Sequence, residues 1–552
     1  MNGLPRSPTC PANILREAFL QPDLSMTDTP SFSRAAVAAP HRLAAEAGRA
    51  ILAEGGNAIE AMIAMAAAIA VVYPHMNSIG GDGFWLIAEN PRRVRAIEGC
   101  GFAGRGAAIE RHRERGAIPS RGPEAALTVP GAVDSWARAL ELSVGLGGKL
   151  PLSLLLDAAI RHARDGYAVS PSEARTAPID FESLKQAPGF AATYLAEGKL
   201  PEAGATRKAP LLAETLSFLA HAGLDDFYRG DVGREIAADL ERIGAPIARD
   251  DLRAYRAHWR EPLSLRVDGA TIFNTPPPTQ GLASLVLLGL FERLNVARPD
   301  DFAYFHALIE ASRRALAIRD RVCTDFDHLR EDPADFLSAA ALDREAESID
   351  KNRAAPWPAR PDAGDTIWMG AIDAQGRAVS FIQSLYWEYG SGCVLPATGI
   401  LVGNRGLAFS LDPNALNPLR PGRRPIHTLN PPLAVFDDGR LAVYGSMGGD
   451  GQPQFQAQIL TRYRFGQDIV AALAAPRVLV GRTWGAPTRT VKLEGGFDET
   501  IGRALAAAGH PIEWTSAPLS DAFGHAGMIV RDPKGALLAA HDPRSDGGAA
   551  GL

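Results

Sequence analysis

Strand-like apolar runs stand at both ends of this 552-residue chain, with a long helical stretch between them. Near the start, Arg34 to Ala39 reads as a short strand. Pro40 to Glu54 reads as an amphipathic helix stopped by Gly55-Gly56-Asn57, and the Ala/Ile/Val-rich run that follows as a second helix ending near Tyr73-Pro74. A glycine turn, Ile79 to Gly83, then leads into an apolar strand, Phe84 to Ala88. Residues 132 to 345 carry helical spacing, as in Leu152 to Ala163, Leu211 to Ala222 and Phe302 to Ala317. From Thr366 the period shortens through Thr366 to Ile372, Ala378 to Leu385, Leu433 to Phe436 and Leu441 to Tyr444, before a helix from about Gln454. Strands from the two ends must therefore meet in shared sheets, with the middle helices as outer layers. That is a layered α/β or α+β sandwich closed by distant segments.

Such a sandwich needs apolar material, and 46% hydrophobic against 22% charged residues supplies it while excluding disorder. A net charge of -6 with no long single-sign run argues against a nucleic-acid or membrane-surface partner and for a small molecule. The longest apolar run, Ala61 to Tyr73, falls short of the ~20 residues that cross a bilayer, so it predicts a buried helix and no membrane span. Four cysteines (Cys10, Cys100, Cys323, Cys393) without CxxC spacing give neither a disulfide framework nor a zinc site. No HExxH or GxxxxGK[ST] occurs, and no metal or other cofactor is expected. Residues 1 to 30 lack a basic segment followed by an unbroken apolar one, so the expectation is a cytoplasmic protein without an export signal. Residues 1 to 32 read as a flexible lead-in, and Asn352 to Gly364 as the most linker-like stretch.

That stretch runs into a hairpin whose turn sets a register. In Asp373-Ala374-Gln375-Gly376-Arg377, glycine occupies the left-handed position of a three-residue loop. Pairing Asp373 with Arg377 places Ile372 opposite Ala378, Trp368 opposite Ile382 and Thr366 opposite Ser384. Opposed residues have Cβ atoms ~5 Å apart, close enough for the Ser384 hydroxyl to orient that of Thr366. An ordinary cross-strand Thr/Ser pair is the alternative.

A threonine that starts a strand after a Pro/Ala/Gly segment is where a self-cleaving hydrolase keeps its nucleophile. Cleavage at Asp365-Thr366 would free an α-amine on the residue that bears the hydroxyl. With a reference pKa of ~7.7 to 8.0, that amine can serve as general base near neutral pH. The chemistry also needs an oxyanion hole. Gly445-Ser446-Met447-Gly448-Gly449-Asp450-Gly451 supplies a strand-to-helix turn whose N–H groups could converge on one oxygen, with Pro453 suited to the first turn of the next helix. Asp82 and Asp450 in their glycine turns read as acceptors for local N–H groups.

From about Ala36 onward the chain resembles the gamma-glutamyltransferase family of N-terminal nucleophile hydrolases. The resemblance lies in AVAAPHRLAAEAGRAILAEGGNAIEA (36–61), YPHMNSIGGDGFWL (73–86), TVPGAV (128–133), PPPTQG (276–281), DTIWMGAIDAQGRAVSF (365–381) and YGSMGGDG (444–451). It implies an α+β fold, a four-layer αββα sandwich made from a self-cleaved proenzyme. A large chain, 33–365 after the lead-in, and a small chain, 366–552, would then form one domain. It also implies Thr366 as nucleophile, Ser384 as the hydroxyl that orients it, and Gly448 and Gly449 as oxyanion-hole glycines. No cofactor is implied. The partners would be a small-molecule amide and the two chains of one proenzyme, with a homo-oligomer of that heterodimer as a further option.

Gamma-glutamyl recognition needs a cation for an α-carboxylate and acidic or amide groups for an α-ammonium. Where transferases carry those groups this chain has Ile97-Glu98-Gly99-Cys100-Gly101, Leu407-Ala408, Tyr386 and His427-Thr428. Instead SFIQSLYWEYGSG (380–392), NRGLAFSLDP (404–413), HTLNPP (427–432) and GSMGGDGQPQ are similar to the branch containing oxamate amidohydrolase. Oxamate has a carboxylate and no ammonium. Arg405, His427 and Thr428, with Tyr386 beside them, are the candidate carboxylate contacts; a solvated Arg405 and a merely structural His427 are the alternatives. The best substrate expectation is oxamate, hydrolysed to oxalate and ammonia. A gamma-glutamyl hydrolase or transferase and a glutaryl-cephalosporin-type acylase are the runners-up, and an uncleaved binding protein the reading from another class.

Overall fold

The computed structural model describes residues 29–356, 365–481, 483 and 488–552. Two seven-stranded sheets, antiparallel throughout, form its centre. In the first, the strands run Gly548–Gly551, Ala36–Ala39, Asp365–Ile372, Ala378–Tyr386, Asp82–Asn90, Arg93–Gly99 and His258–Arg260. In the second they run Ser31–Phe32, Leu537–His541, Ala526–Arg531, Leu441–Ser446, Leu433–Phe436, Ala270–Asn274 and Leu263–Val267. Each sheet thus joins the two ends of the chain, as the distribution of apolar runs requires.

Phe84, Leu86, Trp368, Ile382, Leu433, Val443 and Ile529 fill the space between the sheets. The outer face of the first sheet packs on helices that include Arg42–Ala53, Ala58–Val72, Leu152–Asp165 and Pro210–Ala222. The second sheet packs on Gly281–Arg293, Phe302–Val322 and Gln452–Arg464. The result is a four-layer αββα sandwich of α+β class. No helix among the described residues is long and apolar enough to cross a membrane. The run Ala61 to Tyr73 lies within and just after the fully buried helix Ala58–Val72.

Three local devices fix the sheets that carry the site. Asn57 caps the Ala58–Val72 helix in a capping box with Glu60, while Asp373 of the hairpin loop accepts the Ala58 N–H at 3.0 Å. The same Asp373 carboxylate takes the N–H groups of Gln375 and Arg377 at 3.0 Å each, with Gly376 at φ 78°, so the loop is the expected one. Trp368 lies across Gly445 of the facing sheet, where a Cβ would come within 2.1 Å of the indole. Only glycine admits that approach.

Two expectations change. The lead-in does not extend through Phe32: Ser31–Phe32 pairs with Leu537 and Leu538, and the Thr29 hydroxyl donates to Asp468 at 2.7 Å. Residues 357–364 of the linker-like stretch lie outside the described residues. The helical middle also contains the strands His258–Arg260, Leu263–Val267 and Ala270–Asn274.

Candidate active site

Down the hairpin the pairing follows the expected register from Ile372 opposite Ala378 to Ile367 opposite Gln383, then slips, with Asp365 pairing to Tyr386. Ser384 and Leu385 together therefore stand across from Thr366, which corrects the one-to-one Thr366/Ser384 pair. The cause is local. Ser384 Oγ accepts the Tyr386 N–H at 2.8 Å, and Tyr386 takes φ 88°, so the strand end kinks into a bulge. Both Thr366 and Ser384 are buried. Thr366 Oγ1 accepts from the Gln452 side-chain amide at 3.4 Å.

Gln452 starts the helix that follows the glycine turn, with Pro453 in its first turn as expected. Gly448 (φ 120°) and Gly449 (φ 52°) both adopt backbone conformations that favour glycine, and a Cβ on Gly448 would meet the Phe455 ring at 2.8 Å. Asp450 does more than serve local N–H groups. It forms a buried two-point ion pair with Arg319, whose Nη2 reaches Oδ2 at 3.3 Å and whose Nη1 is closer to Oδ1. Arg319 Nη1 also donates to Gln280 Oε1 at 2.7 Å, and Gln280 Nε2 donates to the carbonyls of Gly449 (2.7 Å) and Thr428 (2.6 Å). The turn is thus tied to the loop that carries His427 and Thr428.

Arg405 is buried, not solvated. Its guanidinium lies 3.8 Å above the Tyr386 ring, donates to Thr428 Oγ1 at 3.3 Å and bonds the Ile426 carbonyl. His427 Nε2 is 3.3 Å from Asp82 Oδ2, and its ring packs 4.9 Å from that of Phe84. Burial, aided by the Arg405 charge, pulls its pKa down to about 4, so the imidazole is neutral at pH 7. Asp82 also accepts the Gly101 N–H at 3.1 Å and pairs across the sheet with Ser384.

Thr366, Ser384, Tyr386, Arg405, His427, Thr428, Gly448 and Gly449 thus belong to one linked cluster. Gln280, Arg319 and Gln452 hold it together with Asn430, whose Nδ2 donates to the Thr428 carbonyl at 3.0 Å and to Gln452 Oε1 at 3.1 Å; none of the four was singled out from the sequence. The PPPTQG motif was the available signal for Gln280. At the expected transferase Arg site, Glu98 is buried 3.8 Å from Arg424 Nε and 3.9 Å from Arg260 Nη1; burial pushes its pKa up to about 8. Among the described residues no group of three or more His, Cys, Asp or Glu could hold a metal ion.

Residues 44–552 match the family model described as gamma-glutamyltranspeptidase. The oxamate amidohydrolase proenzyme of Klebsiella pneumoniae is 50% identical over 93% of this chain and 97% of that protein. The glutathione hydrolase-like YwrD proenzyme of Bacillus subtilis is 36% identical over 94% and 98%. Among solved structures, a cephalosporin acylase from Bacillus halodurans superposes with a TM-score of 0.89 at 32% identity, covering 98% of this chain and 99% of that one.

Proposed function

The chain belongs to the gamma-glutamyltranspeptidase family and is an amide-bond hydrolase, and on that footing we propose that it cleaves itself at Asp365-Thr366 and then hydrolyses oxamate to oxalate and ammonia. Thr366 Oγ1 attacks the Asp365 carbonyl and the C–N bond breaks to leave an Asp365–Oγ1 ester; water hydrolyses that ester, which frees the Asp365 carboxylate and leaves the new α-amine beside the restored hydroxyl. In turnover that amine takes the hydroxyl proton as Oγ1 adds to the substrate amide. The leaving nitrogen receives the proton, and water hydrolyses the acyl-Thr366 ester. The Gly448 and Gly449 N–H groups stabilise the oxyanion in each step, where losing one donor typically costs ~100- to 1,000-fold in rate. Ser384 orients the nucleophile across the bulge. The mature enzyme is a cytoplasmic pair of chains, 366–552 being the smaller.

The observation that carries the substrate reading is Arg405, a buried guanidinium 3.8 Å from the Tyr386 ring centroid and held by Thr428 and Ile426 within the nucleophile's cluster. A small carboxylate is the anion such a cation suits. The neutral His427 and the Thr428 hydroxyl complete its setting. The 50% identity to an oxamate amidohydrolase supports the same choice.

The test pairs wild type with Thr366→Ala. The wild type is expected to split from a 58.6 kDa band into two and to release ammonia from oxamate; the alanine form is expected to do neither. A γ-glutamyl anilide and a glutaryl amide run beside oxamate. Preference for either would move the substrate, an intact inert wild type would favour a binding protein, and cleavage or turnover by Thr366→Ala would remove Thr366 as nucleophile.

A further inference from the structure

The amide of Gln452 faces Thr366 with a fixed end. Its Oε1 accepts from Asn430 Nδ2 at 3.1 Å, so Nε2 is the atom 3.4 Å from Thr366 Oγ1. Asn430 is held the same way round. Its Nδ2 also donates to the Thr428 carbonyl at 3.0 Å, and its Oδ1 accepts from the Ser284 hydroxyl at 2.7 Å and Asn274 Nδ2 at 3.2 Å. Asn274 is fixed in turn, because its Oδ1 accepts the Thr275 N–H at 2.9 Å. Turning either Gln452 or Asn430 would set like groups face to face. All of these side chains are buried. Thr366 Oγ1 therefore meets an N–H, at the positive end of a 13-residue helix.

Resting on the reading of Thr366 as nucleophile, we infer that Gln452 is a further catalytic residue, one that stabilises negative charge on Thr366 Oγ1 as that oxygen forms and breaks its bond to carbon. In self-cleavage Oγ1 bonds to the Asp365 carbonyl carbon, the C–N bond breaks, and the hydroxyl proton ends on the released nitrogen; water then adds to the Asp365–Oγ1 ester, the C–O bond breaks, and Asp365 leaves as a carboxylic acid while Oγ1 regains a proton. In turnover the Oγ1 proton passes to the α-amine, Oγ1 bonds to the substrate carbon, and the departing nitrogen takes that proton. Water then adds to the ester and gives its proton to the amine. Oγ1 leaves with the C–O electron pair and takes the proton back. Gln452 gains and loses none. Its hydrogen bond is long in the resting hydroxyl and strengthens when Oγ1 is charged, which is the kind of interaction that raises kcat without tightening substrate binding.

The experiment compares wild type, Gln452→Leu, Gln452→Glu and Thr366→Ala. Self-cleavage is followed on denaturing gels, and ammonia release from oxamate is measured on fully processed protein from pH 5 to 9. Gln452→Leu is expected to slow both self-cleavage and kcat by ~100- to 1,000-fold, the range for losing one oxyanion-type donor, with KM little changed. Gln452→Glu donates only when protonated. Its rate relative to wild type is expected to climb as pH falls, a pH limb that a merely structural role would not create. That ratio needs only wild type and Gln452→Glu, so it decides the matter even if Gln452→Leu fails to fold. Wild-type rates in Gln452→Leu, or a pH-independent deficit in Gln452→Glu, would overturn the inference. If Thr366→Ala is inert while both Gln452 variants match wild type, the inference alone falls; if Thr366→Ala stays active, the nucleophile assignment falls first.

Discussion

Arg319→Met tests how the glycine turn is held. The Arg319 guanidinium and Asp450 carboxylate are 2% and 4% exposed, with Nη2 and Oδ2 3.3 Å apart. At an effective dielectric of ~20 that separation corresponds to about 5 kcal/mol of attraction. Desolvating two ions offsets several kcal/mol of this, so the pair itself contributes little net stability. Removing only the cation is different, because a buried carboxylate then loses its Arg319 charge, and breaking a buried pair from one side costs about 3–5 kcal/mol. Arg319 also bonds Asp320, but that carboxylate is 48% exposed and water can take over its solvation. Adding Asp450→Asn removes that buried charge. The double variant is therefore expected to recover about 1–3 kcal/mol over Arg319→Met alone. Urea unfolding followed by tryptophan fluorescence reads these differences as midpoint shifts. Ammonia release reads a second consequence. Without Arg319, Gln280 loses its 2.7 Å donor and holds the Gly449 carbonyl less firmly. A misplacement of ~1 Å at a reacting centre can cost ~100-fold in rate. The double variant should therefore regain stability while staying slow. A wild-type midpoint for Arg319→Met, or a double variant no more stable than the single, would refute the reasoning.

Gly448→Ala forces a side chain onto φ 120° and puts a Cβ 2.8 Å from Phe455; thermal melts should show a loss of at least ~1–3 kcal/mol, and kcat should fall by ~100-fold or more. Arg405→Leu keeps the contact with Tyr386 but removes the charge. Michaelis–Menten assays should show KM for oxamate raised by ~10- to 100-fold, from the 1.5–3 kcal/mol of a charged hydrogen bond, with the self-cleavage rate unchanged. Glu98, pushed from 4.5 up to about 8 by burial, stays protonated in the folded chain at pH values where an unfolded carboxylate has released its proton. Its contribution is therefore fully present below about pH 4.5 and is lost as pH rises through about 8. Melting temperatures of Glu98→Gln should fall less than those of wild type between pH 5 and 9, and parallel curves would contradict the burial argument.

What could be read from the sequence was local chemistry. The hairpin from Asp373 to Arg377 was legible because Gly376 and the Asp373 carboxylate define its loop within five residues, and the layered fold followed from where strand-like and helical runs sit. The slip at Thr366 was not legible. It depends on Tyr386 adopting φ 88° at the far end of the partner strand, which no pairing rule starting from the loop contains. Arg405 was undecided for a related reason, since a cation's exposure is set by what folds over it. The strands Ala526–Arg531 and Leu537–His541 were missed among short runs near the end of the chain.

The support of the site was hidden because its bonds span the sequence: Gln280 reaches Gly449 across 169 positions, and Arg319 reaches Asp450 across 131. One signal was nevertheless available. Gln452, Gln454, Gln456 and Gln458 alternate along a helix, where such spacing spreads amides around much of the circumference. All four are buried, at 2% exposure or less. Gln454 and Gln458 each exchange two hydrogen bonds with the strand Val478–Val480, taking the N–H of Val480 and Val478 and donating to the carbonyls of the same residues, as a neighbouring strand would. Gln456 donates to the Asn430 carbonyl, and Gln452 reaches Thr366. A buried amide persists only where both its ends are satisfied, so this helix is specified by polar partners on several sides at once. The same constraint that fixes the helix also leaves the Gln452 N–H facing the threonine hydroxyl.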